Sequence, residues 1–97
     1  MVATRSTPAD GAALDDAGLL QAARRIVVSN PSHALGLTHE DALRFPLSPL
    51  AEERDALRIE ALSRLGRLTQ ARTELDDFER THPRSPYRHR LEALLGP

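Results

Sequence analysis

The sequence predicts an all-α protein of stacked antiparallel helical hairpins, and three observations carry the prediction. Apolar residues recur at spacings of three and four in several separate segments, the period of a helix that buries one face. The 97-residue chain is 40% hydrophobic yet has only Phe45, Phe78 and Tyr87 as aromatics, a composition suited to a core of Leu and Ala rather than to a sheet. The phrase Pro46-Leu47-Ser48-Pro49-Leu50 returns as Pro83-Arg84-Ser85-Pro86-Tyr87, 37 residues further on. A fixed period of a few tens of residues marks stacked supersecondary units.

In chain order, Met1 to Ala13 holds Ser6, Thr7, Pro8 and Gly11 among small residues. It lacks the apolar content to order itself, so 1–13 is expected to be a flexible lead or linker and 14–97 the helical domain. Asp15 and Asp16 suit a first helical turn, where acids complement the helix dipole. They open a helix expected from Leu14 to Val28, whose Leu19, Leu20, Ala23, Ile26 and Val27 form a face wide enough for more than one neighbour. Asn30-Pro31 stops that helix and starts the next, because Asn caps an N-terminus and Pro is preorganised for the first helical position. Ser48-Pro49 and Ser85-Pro86 read the same way, so three helix starts are expected to share one device. The helix from Pro31 to Arg44 is expected to be the least protected from exchange. Gly36 costs it about 1 kcal/mol relative to Ala, and its apolar positions Ala34, Leu37, Leu43 and Phe45 are patchy.

Pro49 to Leu65 carries the strongest pattern, a stripe of Leu50, Leu57, Ala61 and Leu65 broadened by Ile59 and Leu62. Gly66 ends it as a left-handed C-cap would. The next helix, Leu68 to Arg80, carries Leu68, Ala71, Leu75 and Phe78. The short connection at Gly66-Arg67 makes the two helices antiparallel, so their stripes are expected to face each other. Pro83 closes the pair, and Pro86 to Leu95 forms a last helix with Tyr87, Leu91, Leu94 and Leu95 on one side. The units are thus 14–46 and 49–83, followed by a final helix over 86–95.

The spacing of Gly66, Ala71, Leu75 and Pro83 resembles the tetratricopeptide repeat, in which a turn glycine, a small residue, a bulky one and a closing proline recur. The closing Pro83-Arg84-Ser85-Pro86 phrase is similar to the repeats of Gram-negative envelope proteins of the outer-membrane assembly lipoprotein and Tol-Pal coordinator type. The first unit departs from the pattern, with Thr38 and Asp41 where bulky and small apolar residues stand in the repeat. The early Trp, Leu and Tyr positions are filled differently, Leu62 standing in for the last. The resemblance implies about two repeats and a C-terminal capping helix, acting as a non-catalytic scaffold. It would hold a protein or peptide partner in a groove lined by the first helix of each unit: Leu19, Ala23, Glu53, Ala56, Glu60, Ser63, Arg64 and Arg90. Related domains that clamp a C-terminal carboxylate use Lys and Asn where this chain has Ala56 and Glu60, so that ligand is not expected. Two units fall short of the three or more that usually bury a continuous core. The alternative is therefore a homo-oligomerisation segment, or a capping segment of a longer array, exposing Leu19, Leu20, Ile26 and Val27 to a second copy.

Other chemistries find little support. A net charge of −1 sets up no global field toward nucleic acid or an anionic membrane. With no Cys there is no disulfide, thiolate nucleophile or thiol metal site. His33 and His39, like His82 and His89, miss the i, i+4 spacing that aims two imidazoles at one ion, so no metal or cofactor is expected. Asp76 and Asp77 diverge on a helix and make no acid pair for catalysis. No phosphate loop or nucleophile elbow is present, and the chain is not expected to be an enzyme. Glu52, Glu53, Asp55, Glu60, Glu74 and Glu79 are expected to form a salt-bridged surface with Arg58, Arg64 and Arg72. Arg80, Arg84, Arg88 and Arg90, with His82 and His89, offer a weaker alternative, an anion or nucleic-acid patch. No aromatic platform accompanies them, and solvated arginines are the expectation. No apolar run approaches the roughly 18 to 20 residues that span a bilayer. Met1 to Leu14 is no secretory signal, which implies the cytoplasm, or the periplasm if an export segment lies upstream.

Overall fold

A computed structural model describes residues 14–96, and the expectation of a flexible lead over 1–13 lies outside the described residues. Among the described residues five helices follow one another: α1 Asp16–Ile26, α2 Pro31–Arg44, α3 Ala51–Arg64, α4 Leu68–Thr81 and α5 Arg88–Leu95. Their ends are set by local chemistry. The Asp15 carboxylate accepts a 2.8 Å hydrogen bond from the Gly18 amide and caps α1. Asn30 accepts at 3.2 Å from His33 N–H, with Pro31 at the first position of α2. Gly66, at φ +78°, turns the chain out of α3 while the Arg67 amide reaches back to the Leu62 carbonyl at 3.0 Å. That is the bonding of a Schellman C-cap, which a residue with a Cβ adopts only under strain.

The two serines do not repeat the device at Asn30. The residues that cap α3 and α5 are Leu50 and Tyr87, neither of which uses a side chain. Ser48 and Ser85 stand two residues earlier, their hydroxyls accepting from the Leu50 amide at 2.8 Å and the Tyr87 amide at 3.1 Å. With proline next in the chain and so without an amide to offer, the hydroxyl satisfies the donor two residues on and forms a turn ahead of the helix. The two turns match bond for bond. Phe45 N–H donates to Asp41 C=O at 2.8 Å and His82 N–H to Phe78 C=O at 2.7 Å, while Ser48 and Ser85 donate to Phe45 and His82 at 3.1 and 3.0 Å. The 37-residue period of the sequence is a period of the backbone.

Each helix packs on the next, and α3 also meets α1 and α5. This central position changes which of its residues face α4. Ala56, Ile59 and Leu62 pack with Ala71, Leu75 and Phe78 of α4 and with Leu91 and Leu95 of α5. Leu57 and Ala61 turn the other way, to Leu20, Ala23, Val27 and Ala34 of the first hairpin. The stripe of Leu50, Leu57, Ala61 and Leu65 therefore does not face α4 as expected. A helix with neighbours on both sides divides its apolar residues between them. Leu68, expected in the same contact, is 48% exposed. Leu19, Leu20 and Val27 are all buried within the chain and Ile26 is half-buried. The apolar face expected to be open to a second copy is thus consumed internally.

Candidate functional site

A concave groove runs where α1, α3 and α5 lie side by side. It encloses about 140 Å³ and is lined by Arg24, Val27 and Val28 of α1 and its turn, Glu53, Ala56, Leu57 and Glu60 of α3, and Tyr87, Arg90 and Leu91. The floor is apolar, since Val27, Ala56, Leu57 and Leu91 are buried there, whereas Val28 at the edge is 65% exposed. Two acids sit inside it. Glu53 is ion-paired with Arg24. Glu60 accepts from Arg64 Nε and, across 30 residues of chain, from Arg90 Nη2, both at 2.9 Å. The Glu60 side chain is only 6% exposed, and two guanidiniums offset the cost of desolvating it.

Of the residues expected to line a groove, Glu53, Ala56, Glu60 and Arg90 do so. Arg64 reaches it through Glu60, and Ser63 is half-buried on the same helix. Leu19 and Ala23 are fully buried core residues and do not line it. The expectation carried the 37-residue offset back into α1, which has 11 residues where α3 has 14. There the period fails, and Arg24, Val27 and Val28 take the places assigned to Leu19 and Ala23. Glu60 is correspondingly no surface acid.

A larger cleft, about 530 Å³, opens between α2, α3 and α4 over Ile59 and Phe78. Four of its charges pair with one another, Arg54 with Asp55 and Arg58 with Glu74. Arg58 grips Glu74 with two hydrogen bonds, at 2.6 and 3.0 Å, while Gln70 adds a third at 3.2 Å. Burial would raise the Glu74 pKa, but the hydrogen bonds and charge of Arg58 hold it below the ordinary range. The cleft is bounded by a staple between α3 and α4.

The structure also makes acid pairs that no local spacing in the sequence indicated. Asp41 of α2 is completely buried and faces Asp16 of α1. Burial, the neighbouring Asp16 carboxyl and that neighbour's charge together raise the Asp41 pKa to about 6, against the opposing charge of Arg54. Asp16 moves the other way. Desolvation would raise it, but the adjoining Asp41 carboxyl, the hydrogen bond from Ser48 and the charge of Arg54 hold it below the usual range. The Ser48 hydroxyl donates to Asp16 across 32 residues of chain. Arg54 lies 3.5 Å from Asp41 and donates to the Phe45 carbonyl at 3.2 Å. A second pair, Glu79 and Glu92, shares Arg88 at 3.5 and 3.3 Å. The hydrogen bond with Glu92, and burial, raise Glu79. Each pair joins two consecutive helices through residues that share no helical turn, so their approach depends on how those helices pack.

The arginines expected to be solvated are mostly engaged. Arg80 pairs with Asp77, Arg88 with Glu79 and Glu92 and Arg90 with Glu60, while Arg84 is exposed. Among the described residues no three His, Cys, Asp or Glu side chains converge as metal ligands. No described helix is long and apolar enough to cross a membrane. No protein-family model, curated protein or solved structure matches the chain.

Proposed function

We propose that this chain is a non-catalytic protein-interaction scaffold of the tetratricopeptide type, holding a peptide or partner segment along the groove between α1, α3 and α5. The make-up of that groove is the observation that carries the reading. Its apolar floor of Val27, Ala56, Leu57 and Leu91 gains from being covered by a partner's side chains. Its acids are already met by Arg24, Arg64 and Arg90. Each guanidinium has five N–H donors and spends only part of that capacity on Glu53 or Glu60, leaving donors for a partner's carbonyls. The repeat reading is supported by Gly66 in its left-handed turn and by fully buried Ala71, which lets α4 approach α3. Self-association through Leu19, Leu20 and Val27 is not favoured because those residues are buried. Anion capture by Arg80, Arg88 and Arg90 is not favoured because an acid beside each offsets the positive charge an anion would need, whatever N–H donors remain.

The test is a displayed library of random peptides selected on the intact chain, followed by affinity measurements on three exposed-site variants. Binders are expected to lose about tenfold or more in affinity on Val28→Glu and on Arg90→Glu, the loss typical of an interface contact worth over 1 kcal/mol. They should keep their affinity on Arg80→Glu, which lies outside the groove. Equal affinity for all three variants, or a selection that yields no binder, would reject the reading.

A further inference from the structure

We infer that the Asp16–Asp41 contact is a proton-operated latch, which clamps α1 to the α2–α3 junction when one proton is shared between the carboxyls and loosens it when that proton is lost. Neither oxygen of Asp41 and only one of Asp16 finds an ordinary hydrogen-bond donor: Asp16 Oδ1 and both Asp41 oxygens are buried and unpartnered. Two carboxylates so placed lack the donors that burial requires. One added proton changes this, because a carboxyl O–H on one acid donates to the carboxylate of the other.

Among the described residues the surroundings supply no other remedy. From α3 comes Arg54, which divides itself between Asp41 at 3.5 Å, the Phe45 carbonyl at 3.2 Å and Asp55 at 3.3 Å. From the turn comes the Ser48 hydroxyl, already committed to Asp16. On α1, Asp15 is turned to the Gly18 amide. On α2, Thr38 donates to the Leu35 carbonyl and Glu40 pairs with Arg44 at 3.0 Å. One guanidinium thus faces two acids, three of whose four carboxyl oxygens are buried without a donor.

Asp41 is the more buried of the two and keeps the proton, its pKa standing at about 6 against an unfolded value near 3.9. A group whose folded pKa is raised contributes stability at low pH and loses it as pH climbs through the folded value. The hold on α1 should accordingly weaken between about pH 5.5 and pH 7.5.

Hydrogen exchange of the α1 amides, corrected for the intrinsic pH dependence, reads this directly. Protection in the wild-type chain is expected to be about fourfold higher at pH 5.5 than at pH 7.5, with a melting temperature about 3 to 6 °C higher. Asp41→Asn keeps the shape and donates an N–H to Asp16, so it should hold α1 at the acid level of protection across the range. Asp16→Asn removes the repulsion from the other side and should flatten the profile too, which decides the matter if Asp41→Asn does not fold. The Glu79–Glu92 pair at the far end contributes to the melt but not to α1 exchange. Protection that is constant or rises with pH in the wild type overturns the latch. So does a fall that persists in either variant.

Discussion

The two inter-unit junctions share a backbone and differ in chemistry. Counting 37 residues on, Thr38 becomes Leu75, Asp41 becomes Phe78 and Arg54 becomes Leu91. The second set belongs to one apolar cluster with Ile59 and Leu62. The first set is polar yet equally hidden, with Thr38 at 1% and Asp41 at 0% exposure, and Thr38 is kept satisfied by its 2.8 Å bond to the Leu35 carbonyl. Identical turns at Phe45 to Leu50 and at His82 to Tyr87 thus support both an ion cluster and a hydrocarbon core. Backbone geometry in this fold does not dictate how a junction is filled. The apolar filling gains from burial itself, whereas the polar one must first recover the desolvation of its charges.

Phe78→Ala should break the apolar junction with the largest effect. Removing a buried ring at the meeting of α3, α4 and α5 is expected to cost about 3 to 5 kcal/mol in urea denaturation at pH 7.5. A loss below 1 kcal/mol would mean that the second junction is looser than its burial indicates. Arg54→Ala should break the polar junction almost as severely, by about 3 kcal/mol at pH 7.5, because it leaves two buried acids without their cation. That loss should shrink at pH 5.5, where Asp41 holds its proton, and an equal loss at both values would contradict the raised Asp41 pKa. The comparison is sharpest in the double variant Asp41→Phe with Arg54→Leu, which writes the second junction into the first. It should be neutral or more stable by about 1 kcal/mol, since hydrocarbon of fitting size often replaces a buried ion pair without loss. Strong destabilisation would show that the polar cluster has a shape the ring cannot fill.

Much of the fold was legible in the residues because it rests on short-range chemistry. Asn30-Pro31 opens α2 and Gly66 closes α3, each through contacts within a few residues. The period was legible in Ser48-Pro49 and Ser85-Pro86, although the hydroxyls bond two residues on rather than capping the helices. The groove was half legible. Glu53, Ala56, Glu60 and Arg90 were among the residues expected there, while Arg24, Val27 and Val28 were not, because the α1 residues expected in their place, Leu19 and Ala23, are turned into the core. The polar junction was not legible, and Thr38 and Asp41 stood out in the sequence only as departures from an apolar pattern.

The sequence by itself determined five amphipathic helices, the caps at Asn30 and Gly66 and the 37-residue spacing, since helical period and turn chemistry are settled within a turn or two of chain. Tertiary structure alone decided that α3 divides its apolar residues between two neighbours, that Arg90 answers Glu60 across 30 residues and that Asp41 is buried against Asp16. These depend on which faces meet when helices distant in sequence pack. The charge state of a carboxyl is then set by what that packing places beside it and by the water it excludes.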